Sequence, residues 1–433
     1  MNKPSELGLV NAAGVAQGLA LVTFPAASTI FTSPSGYGFS ETRYGLMFLP
    51  QVVMAILASS MAPKLARRWS LKRVLLVGLG SDIAAMLLLA LSRLVETEQG
   101  FAYGLLLIAT GALGFGFGAA LTALSTLAEV LSPGREDRAV LTLNALLGTG
   151  TALAPALVAL FLGLGVWWML PLCVACALVV LLLMTLKEHW VIPQGASKDD
   201  NIGAKGGKLP RQFWVFAGAT FTYGILETLN GNWASLYLVS QRGVSMQAAS
   251  WALMAFWAMV TLGRLFFAAL STKVSVRTIY IALPFLLAIA FQIVSRVGTA
   301  VGGSFAFGIA GLSCSAFFPL SISLAGDEFP ALSSVMSGEL IAFYQLGYGV
   351  AAFGTGPLRD LAGFPFSTIF AGASVLAIGM GILAILIVRQ MTASSRRCLF
   401  GEFVVCVYSG PTLRSKWIQS HRTQARKQKP VLE

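Results

Sequence analysis

Long apolar stretches separated by short polar connections fill nearly the whole chain between Leu7 and Gln390. About 20 apolar residues is the length that a helix needs to cross the hydrocarbon core of a bilayer. Backbone polar groups in lipid need internal partners, so such stretches form helices, and the short alternating segments of a membrane barrel are not seen here. The pattern predicts twelve spans, numbered 1 to 12, at residues 8–32, 44–62, 74–92, 102–130, 139–163, 167–186, 213–238, 247–270, 278–295, 301–325, 337–357 and 365–389.

Composition supports this interpretation. Hydrophobic residues make up 56% of the chain, charged residues only 11%, and the mean hydropathy is +0.76. A soluble domain could not cover that much apolar surface, whereas a bilayer requires it. The predicted fold class is therefore an all-α polytopic membrane protein with twelve transmembrane helices.

The positions of Lys and Arg predict the orientation of the spans. Positive residues concentrate in cytoplasmic loops, and placing the N-terminus in the cytoplasm puts most of the 30 basic residues on that side. The connections on the other side hold Arg43, Arg93, Arg242, Arg296 and Arg359. We therefore predict a multi-pass protein of the cell inner (plasma) membrane with both termini cytoplasmic.

The net charge of +12 does not call for a nucleic-acid partner, because much of it lies in the Lys- and Arg-rich segment 393–433. A basic tail beside a membrane is most simply a solvated, lipid-attracted segment, and we expect it to be disordered. The expected partners are a small-molecule solute and the lipid bilayer, and we expect a monomer.

The sequence offers few residues that could support catalysis or bind a metal. His189 and His421 both lie outside the spans, and the Cys173-x-x-Cys176 pair lies in an apolar span without a charged neighbour. Small core residues are the better interpretation of that pair. No nucleophile–histidine pair or nucleotide-binding loop is found, so we expect no enzymatic activity, no metal and no cofactor other than a coupling proton.

The chain divides into two halves with traces of one repeated pattern. LARRWSLKRV (65–74) after span 2 aligns with LSTKVSVRTI (270–279) after span 8, and spans 5 and 11 share LGTG (147–150) and LGYG (346–349). We predict an N-terminal six-helix bundle at 1–186, a cytoplasmic linker at 187–212, a C-terminal bundle at 213–392 and the tail at 393–433. A parallel duplication of six helices is a recurring transporter plan, with the solute site near the midplane between the halves.

The chain resembles the major facilitator superfamily over residues 8–390. The likeness is carried by the basic loop after span 2, its echo after span 8, the Gly263-Arg264 pair and GPLRDLAGF (356–364). The second half is most similar to the fucose permease-like sugar:proton symporters, through TYGILETLNGNWASLYL (222–238) and GRLFFAALSTKVSVR (263–277). The resemblance implies alternating access, in which two bundles rock about a central site.

The resemblance leads us to expect two ion pairs at the helix ends. Where the superfamily usually carries an Asp that latches the cytoplasmic side, this chain has Arg67. We hypothesise a reversed latch of Glu339 with Arg67 or Arg68, the alternative being a solvated acid at a helix N-terminus. Arg264 is similarly expected to pair with an acid after span 10, and the two candidates are Asp327 and Glu328.

Span 7 carries the strongest candidate site. Tyr223, Glu227, Asn230 and Tyr237 are spaced so that they share one helical face, with Asn232 and Trp233 beside them. Such a polar stripe suits a solute of mixed polarity, because carboxylates and amides bind hydroxyl groups and an indole covers apolar C–H surface. The alternative is that Glu227 is buried, protonated and inert against a neighbouring helix.

Proton coupling would need an acid inside the membrane. Fucose permease-like members usually carry acids in spans 1 and 4, and here both spans lack one at the expected depth, so Glu227 is the candidate and a uniporter stays open. Asp82 in span 3 is interpreted as a structural hydrogen-bonding residue, with a functional role as the alternative. The further polar residues expected to reach the site are Gln17 and Asn11 in span 1, of which Gln17 is the better candidate, and Tyr344, Gln345 and Tyr348 in span 11.

The leading hypothesis is a secondary active or facilitative carrier for a small polar solute such as a sugar or related metabolite, with proton symport and uniport both open. The rival is an exporter of amphipathic or drug-like compounds, which the aromatic and Met-rich spans would suit. A sensor would need a sizeable soluble domain, which neither the linker nor the tail provides.

Overall fold

The computed structural model describes residues 3–188, 210–329 and 332–408, and this part of the chain is helical without any strand. The predicted all-α class is confirmed. The first half contains Lys3–Ala26 (α1), Ser28–Thr32 (α2), Glu41–Leu46 (α3), Leu49–Arg68 (α4), Leu71–Ser92 (α5), the 3-10 turn Arg93–Val95 (η1), Gln99–Leu131 (α6), Glu136–Gly163 (α7) and Met169–Lys187 (α8). The second half contains Phe213–Ser240 (α9), Met246–Leu270 (α10), Val276–Val294 (α11), Ala300–Cys314 (α12), Phe317–Glu328 (α13), Ser333–Asp360 (α14) and Phe366–Tyr408 (α15).

Among the described residues, ten helical segments are long and apolar enough to cross a membrane. The two long helices that are not among them are α9 and α14, which correspond to predicted spans 7 and 11. These helices bring the long helical segments to twelve. Their lower hydropathy has a local cause, since they carry the polar residues of the candidate site described below.

Three of the spans are interrupted. Span 1 breaks at Ala27 between α1 and α2, span 2 breaks between α3 and α4, and span 10 breaks between α12 and α13. Pro319 explains the last break, because a proline has no N–H to donate to the carbonyl four residues earlier and its ring crowds that carbonyl. The carbonyl concerned is that of Ser315, which then needs another donor.

Helix packing repeats between the halves. In the first half α1 packs on α7 and α4 packs on α6, whereas in the second half α9 packs on α14 and α10 packs on α12. These are spans 1 with 5 and 2 with 4, and then spans 7 with 11 and 8 with 10. The LGTG and LGYG segments lie at the first of these contacts in each half, as the sequence repeat would require.

The closest of these contacts depends on glycine. A methyl group on Gly347 would overlap the carbonyl oxygen of Phe221, and one on Gly224 would overlap that of Tyr344. The corresponding α1–α7 contact has Gly150 against the Val15 carbonyl in the same way. Small residues let helix backbones approach closely within a membrane, and this brings the polar faces of α9 and α14 together.

Among the described residues, those up to Ala384 form one compact unit and those from Ile385 onward belong to a second. The linker predicted at 187–212 falls between the end of α8 and the start of α9, and its residues 189–209 lie outside the described residues. Helix α15 extends to Tyr408, beyond the predicted start of the tail at 393. Residues 409–433 of the predicted tail also lie outside the described residues.

Candidate functional site

Helix α9 is buried along nearly all of its length, including its polar face. Tyr223, Asn230, Asn232 and Trp233 are buried, and Glu227 is only 6% exposed. A carboxyl group that is held so far from water needs hydrogen-bond donors if it is to carry charge. The predicted stripe therefore lies against protein, and the partners of each member decide its role.

Glu227 accepts two hydrogen bonds from tyrosines. The Tyr223 hydroxyl lies 2.7 Å from Oε1, and the Tyr344 hydroxyl of α14 lies 2.6 Å from Oε2. Tyr223 is one turn before Glu227 on α9, whereas Tyr344 reaches it because the glycine contacts bring α14 close. Both carboxyl oxygens thus have donors.

The Tyr223 hydroxyl has a second acceptor within reach, the main-chain carbonyl of Cys314 at 3.0 Å. Cys314 is the last residue of α12, directly before the break in span 10. The ring of Tyr223 stacks on Phe317 and Phe318 at the start of α13, with centroids 5.7 and 5.8 Å apart. A tyrosine hydroxyl has one proton, so it can donate to Glu227 or to the broken helix but not to both at once.

Arg264 also binds the break in span 10. Its Nε donates to the Ser315 carbonyl over 3.4 Å, which supplies the donor that Pro319 cannot. In the same helix Gly263 packs against the side chain of Ser315. The Gly-Arg pair therefore lies against the interrupted helix. Within the described residues the expected ion pair of Arg264 with Asp327 or Glu328 is not formed in this structure, and Asp327 is exposed.

One turn or more further along α9, Asn232 and Trp233 contact other helices. Asn232 Nδ2 donates to the Tyr348 hydroxyl over 3.1 Å, and Trp233 Nε1 donates to the Ala351 carbonyl over 3.2 Å. Tyr44 of α3 donates to the Asn232 carbonyl over 2.9 Å and places its ring edge-on to that of Trp233. These contacts join α9 to α14 and also to the first half of the chain.

Two buried polar groups near the centre of the second half have no hydrogen-bond partner among the described residues, the Asn230 Oδ1 acceptor and the Trp257 Nε1 donor. Trp257 of α10 packs its ring against Gly231, the residue after Asn230. Buried polar groups without partners are rare and ask for an explanation. An acceptor and a donor on adjoining helices could together bind a hydroxyl group of a solute.

The other predicted site residues have different environments. Gln17 of α1 is fully buried, and its Nε2 lies 2.5 Å from Asp82 Oδ2 in α5, so it pairs within the first half. Gln345 is half-buried on α14 beside Tyr344. Tyr237, which shares the sequence stripe, donates to the Val294 carbonyl and accepts from Arg242 Nε, and these contacts hold helix ends together.

The two halves are connected by polar contacts at one end of α3 and α14. Arg359 Nε lies 2.8 Å from Glu41 Oε2, and the Thr42 backbone N–H donates to Asp360 Oδ2 over 2.7 Å. The Arg359 guanidinium also lies over the Phe366 ring, 4.5 Å from its centroid. We call these four residues, Glu41, Thr42, Arg359 and Asp360, the 41/359 latch.

The latch hypothesised from sequence concerns the opposite ends of the same two spans. Glu339, Arg67 and Arg68 are all exposed, and the ion pairs of the described chain are Arg93–Glu96 and Arg359–Glu41. This conformation is therefore joined at the 41/359 latch and not at Glu339. The Glu339 latch stays a prediction for another conformation.

The sequence placed Tyr344 among the polar residues of span 11 that reach the site but did not pair it with Glu227, and it did not single out Trp257 or the Cys314 carbonyl. Tyr344 stands three residues before Gly347, and the close approach of α9 at that glycine was the signal that could have selected it. The Cys314 carbonyl is marked in sequence only by Pro319. Among the described residues no cluster of three or more His, Cys, Asp or Glu side chains could hold a metal ion.

No protein-family model and no curated protein matches the sequence. Solved structures match it over most of the chain. A mutant of the nucleoside transporter NupG has a TM-score of 0.71 and 12% identity, covering 89% of this chain and 100% of that chain. The D-xylose-proton symporter has a TM-score of 0.71 and 13% identity, covering 88% and 96%. The Escherichia coli fucose:proton symporter FucP, a major facilitator superfamily transporter, has a TM-score of 0.60 and 16% identity, covering 89% and 99%.

These similarities define the class. The chain is a polytopic membrane protein with the major facilitator fold, as the sequence resemblance predicted. At 12–16% identity the likeness establishes the fold, and the proteins that share it here are solute transporters.

Proposed function

We propose that this protein is a secondary transporter that moves a small polar solute across a membrane by alternating access, with Glu227 as its proton-handling residue. The single observation that carries the proposal is the double acceptance by Glu227 of hydrogen bonds from Tyr223 and Tyr344. An ionisable residue inside a membrane span is costly and is retained where it works on ions or solutes.

The proton count around Tyr223 gives a mechanism for coupling. When Glu227 is ionised, it needs the Tyr223 proton, and the Cys314 carbonyl loses that donor. When Glu227 is protonated, it can donate to the Tyr223 oxygen, and Tyr223 can then donate to Cys314. Loading a proton on α9 is thereby linked to the packing of the broken span 10.

The solute class follows from the groups that lie near Glu227. Asn230 Oδ1 and Trp257 Nε1 offer an acceptor and a donor, and the half-buried side chains of Gln345 and Tyr348 extend the polar surface along α14. Aromatic rings beside hydrogen-bonding groups suit a molecule with hydroxyls on an apolar ring. The transporters of similar fold carry nucleosides, fucose and D-xylose, so a sugar or sugar-containing metabolite is the proposed solute.

Alternating access requires that one side of the site is closed while the other is open. The 41/359 latch closes one side here, and the exposed Glu339, Arg67 and Arg68 lie at the opposite ends of spans 2 and 11. With the N-terminus cytoplasmic, as the positive residues predict, the latched side is the outer side of the cell inner membrane. This conformation would then be inward-facing, and the Glu339 latch would form in the outward-facing one.

The first experiment identifies the solute. A ligand that binds only the folded state raises its apparent stability, so the purified protein is screened by thermal shift against sugars, nucleosides, organic acids and amphipathic cations. Stabilisation by a sugar or nucleoside supports the proposal. Stabilisation by amphipathic cations alone, with resistance of expressing cells to them, would favour the exporter.

The second experiment tests the proton. Vesicles containing the wild-type protein should accumulate the labelled solute when a pH gradient is imposed, and Glu227→Gln should abolish accumulation while retaining solute exchange. Glu136→Gln is the matched control, because Glu136 is the exposed first residue of α7 and its replacement should not alter accumulation. If a pH gradient still drives accumulation in Glu227→Gln, Glu227 is not the coupling acid. Wild-type transport that does not depend on the pH gradient would indicate a uniporter.

A further inference from the structure

Asp82 is a second carboxyl group inside the membrane, and its surroundings differ from those of Glu227. It lies in the middle of α5 and is fully buried. Its Oδ2 contacts Gln17 Nε2 of α1, and its Oδ1 faces Gly116 of α6 so closely that a methyl group there would overlap the oxygen. The carboxyl group is therefore enclosed between two neighbouring helices.

The hydrogen bonds of this pair do not balance if Asp82 is ionised. Asp82 Oδ1 and Gln17 Oε1 are both buried and both lack a partner among the described residues. Both atoms are acceptors, so neither can satisfy the other. One proton on the carboxyl group turns an acceptor into a donor and lets the acid and the amide form complementary hydrogen bonds.

No positive charge of the described residues is paired with Asp82. It takes part in no ion pair there, and its side-chain hydrogen bond is to Gln17. The ionisable groups of the helices packed on α5 lie near the ends of those helices or are exposed. They are Glu6, Lys64, Arg67, Arg68, Tyr103, Glu129, Cys173, Cys176 and Lys187. The charged residues nearest α5 in sequence lie at its two ends, Lys72 and Arg73 at the start and Arg93 and Glu96 after the last turn. An isolated ionised carboxylate at that depth is strongly disfavoured.

From this geometry we propose that Asp82 is a second proton-binding site, whose proton is shared with Gln17 in this conformation and is exchanged during the transport cycle. The second part of the statement rests on the proposed transport function, whereas the first part does not. Gln17 lies on α1, which also contacts α7 and α9, so a movement of α1 would withdraw the amide and change how firmly the proton is held.

Infrared difference spectroscopy on protein with carbon-13-labelled aspartate tests the bound proton without a transport assay. A protonated carboxylic acid band that shifts with the label should be present in the wild type and missing from Asp82→Asn, whose amide keeps one donor and one acceptor for Gln17. If Asp82→Asn has the same carboxylic acid bands as the wild type, the proposal is overturned. Where that variant fails to fold, Gln17→Met serves instead, since it should move the band by removing its hydrogen bond, and an unmoved band would also overturn it.

Solute transport tests the exchange of that proton. Asp82→Asn should retain exchange of the solute and lose part or all of the accumulation driven by a pH gradient. Accumulation equal to that of the wild type would reduce Asp82 to a permanently protonated structural acid and refute its role in the cycle. If the wild type moves no solute but the infrared band is present, the proposed transport function is wrong and the proton-binding site at Asp82 still stands.

Discussion

Tyr223 joins a carboxyl group to a broken helix. Its hydroxyl lies 2.7 Å from Glu227 Oε1 on its own helix and 3.0 Å from the Cys314 carbonyl at the end of α12. Because only one proton is available for two acceptors, the state of Glu227 decides whether the end of α12 receives a hydrogen bond. A small chemical change on span 7 can in this way act on the packing of span 10.

Tyr223→Phe is expected to break this link. The variant should lower the free energy of unfolding by about 0.5–1.5 kcal/mol, the usual net value of a hydrogen bond, and should flatten the dependence of transport on pH. Tyr280→Phe is the control, because Tyr280 is equally buried and its hydroxyl has Ser321, at 3.0 Å, as its hydrogen-bond partner in the described part of the chain. It should cost similar stability and leave the pH profile intact. Equal pH profiles for both variants would remove Tyr223 from the coupling.

The 41/359 latch is expected to set the balance between conformations. A partly exposed ion pair contributes about 0.2–1 kcal/mol, so Arg359→Ala should shift the balance by up to about fivefold toward opening on that side. The measurement is the rate at which a membrane-impermeant maleimide labels a cysteine placed at position 352. Ala352 is fully buried in this conformation, on the same helix as Arg359. The exposed Cys173 and Cys176 are replaced by serine beforehand.

Two controls sharpen the latch experiment. Exchanging the charges, with Glu41→Arg and Arg359→Glu together, should restore part of the protection. Arg93→Ala removes an ion pair that joins residues within one connection and should leave the labelling rate unchanged. Labelling that rises equally in Arg93→Ala and Arg359→Ala would mean that the latch does not hold the two halves together.

The contact of α9 with α14 is expected to tolerate no added methyl group at Gly347. Gly347→Ala should lower the free energy of unfolding by about 1–3 kcal/mol, the usual cost of overpacking, and should separate Tyr344 from Glu227. Gly354→Ala on the same helix has open space around it and should be neutral or slightly stabilising, since Ala favours helix over Gly by about 1 kcal/mol. Thermal unfolding in detergent compares the two, and a Gly347→Ala variant as stable as Gly354→Ala would contradict this packing.

The spacing of residues on span 7 predicted part of the site. Tyr223 and Glu227 are four residues apart, so their side chains share a helical face, and they are hydrogen-bonded. Tyr237 fits the same spacing but bonds the end of α11 instead. Periodicity gives the face of a helix, whereas the neighbour at each level along that face depends on how the other helices cross it.

The helix ends illustrate the same limit. The charges at Glu339, Arg67 and Arg68 offered one latch between spans 2 and 11, and the structure has its ion pair at the other ends of these spans, between residues 318 positions apart. Both arrangements use charges that the sequence places near the ends of the same two spans. Under the alternating access proposed here, the conformation decides which of the two forms.

The sequence by itself determined the helical membrane fold, since a run of about 20 apolar residues has only one stable structure in lipid. It also located span 7 as the polar one. Only the tertiary structure decided that Glu227 meets Tyr344, that Asp82 meets Gln17, and that Tyr223 reaches the end of α12. Those pairs lie on different helices, and the side chains that share a level in the membrane are fixed by close packing at particular glycines and by the break at Pro319, which no local pattern of hydrophobicity encodes.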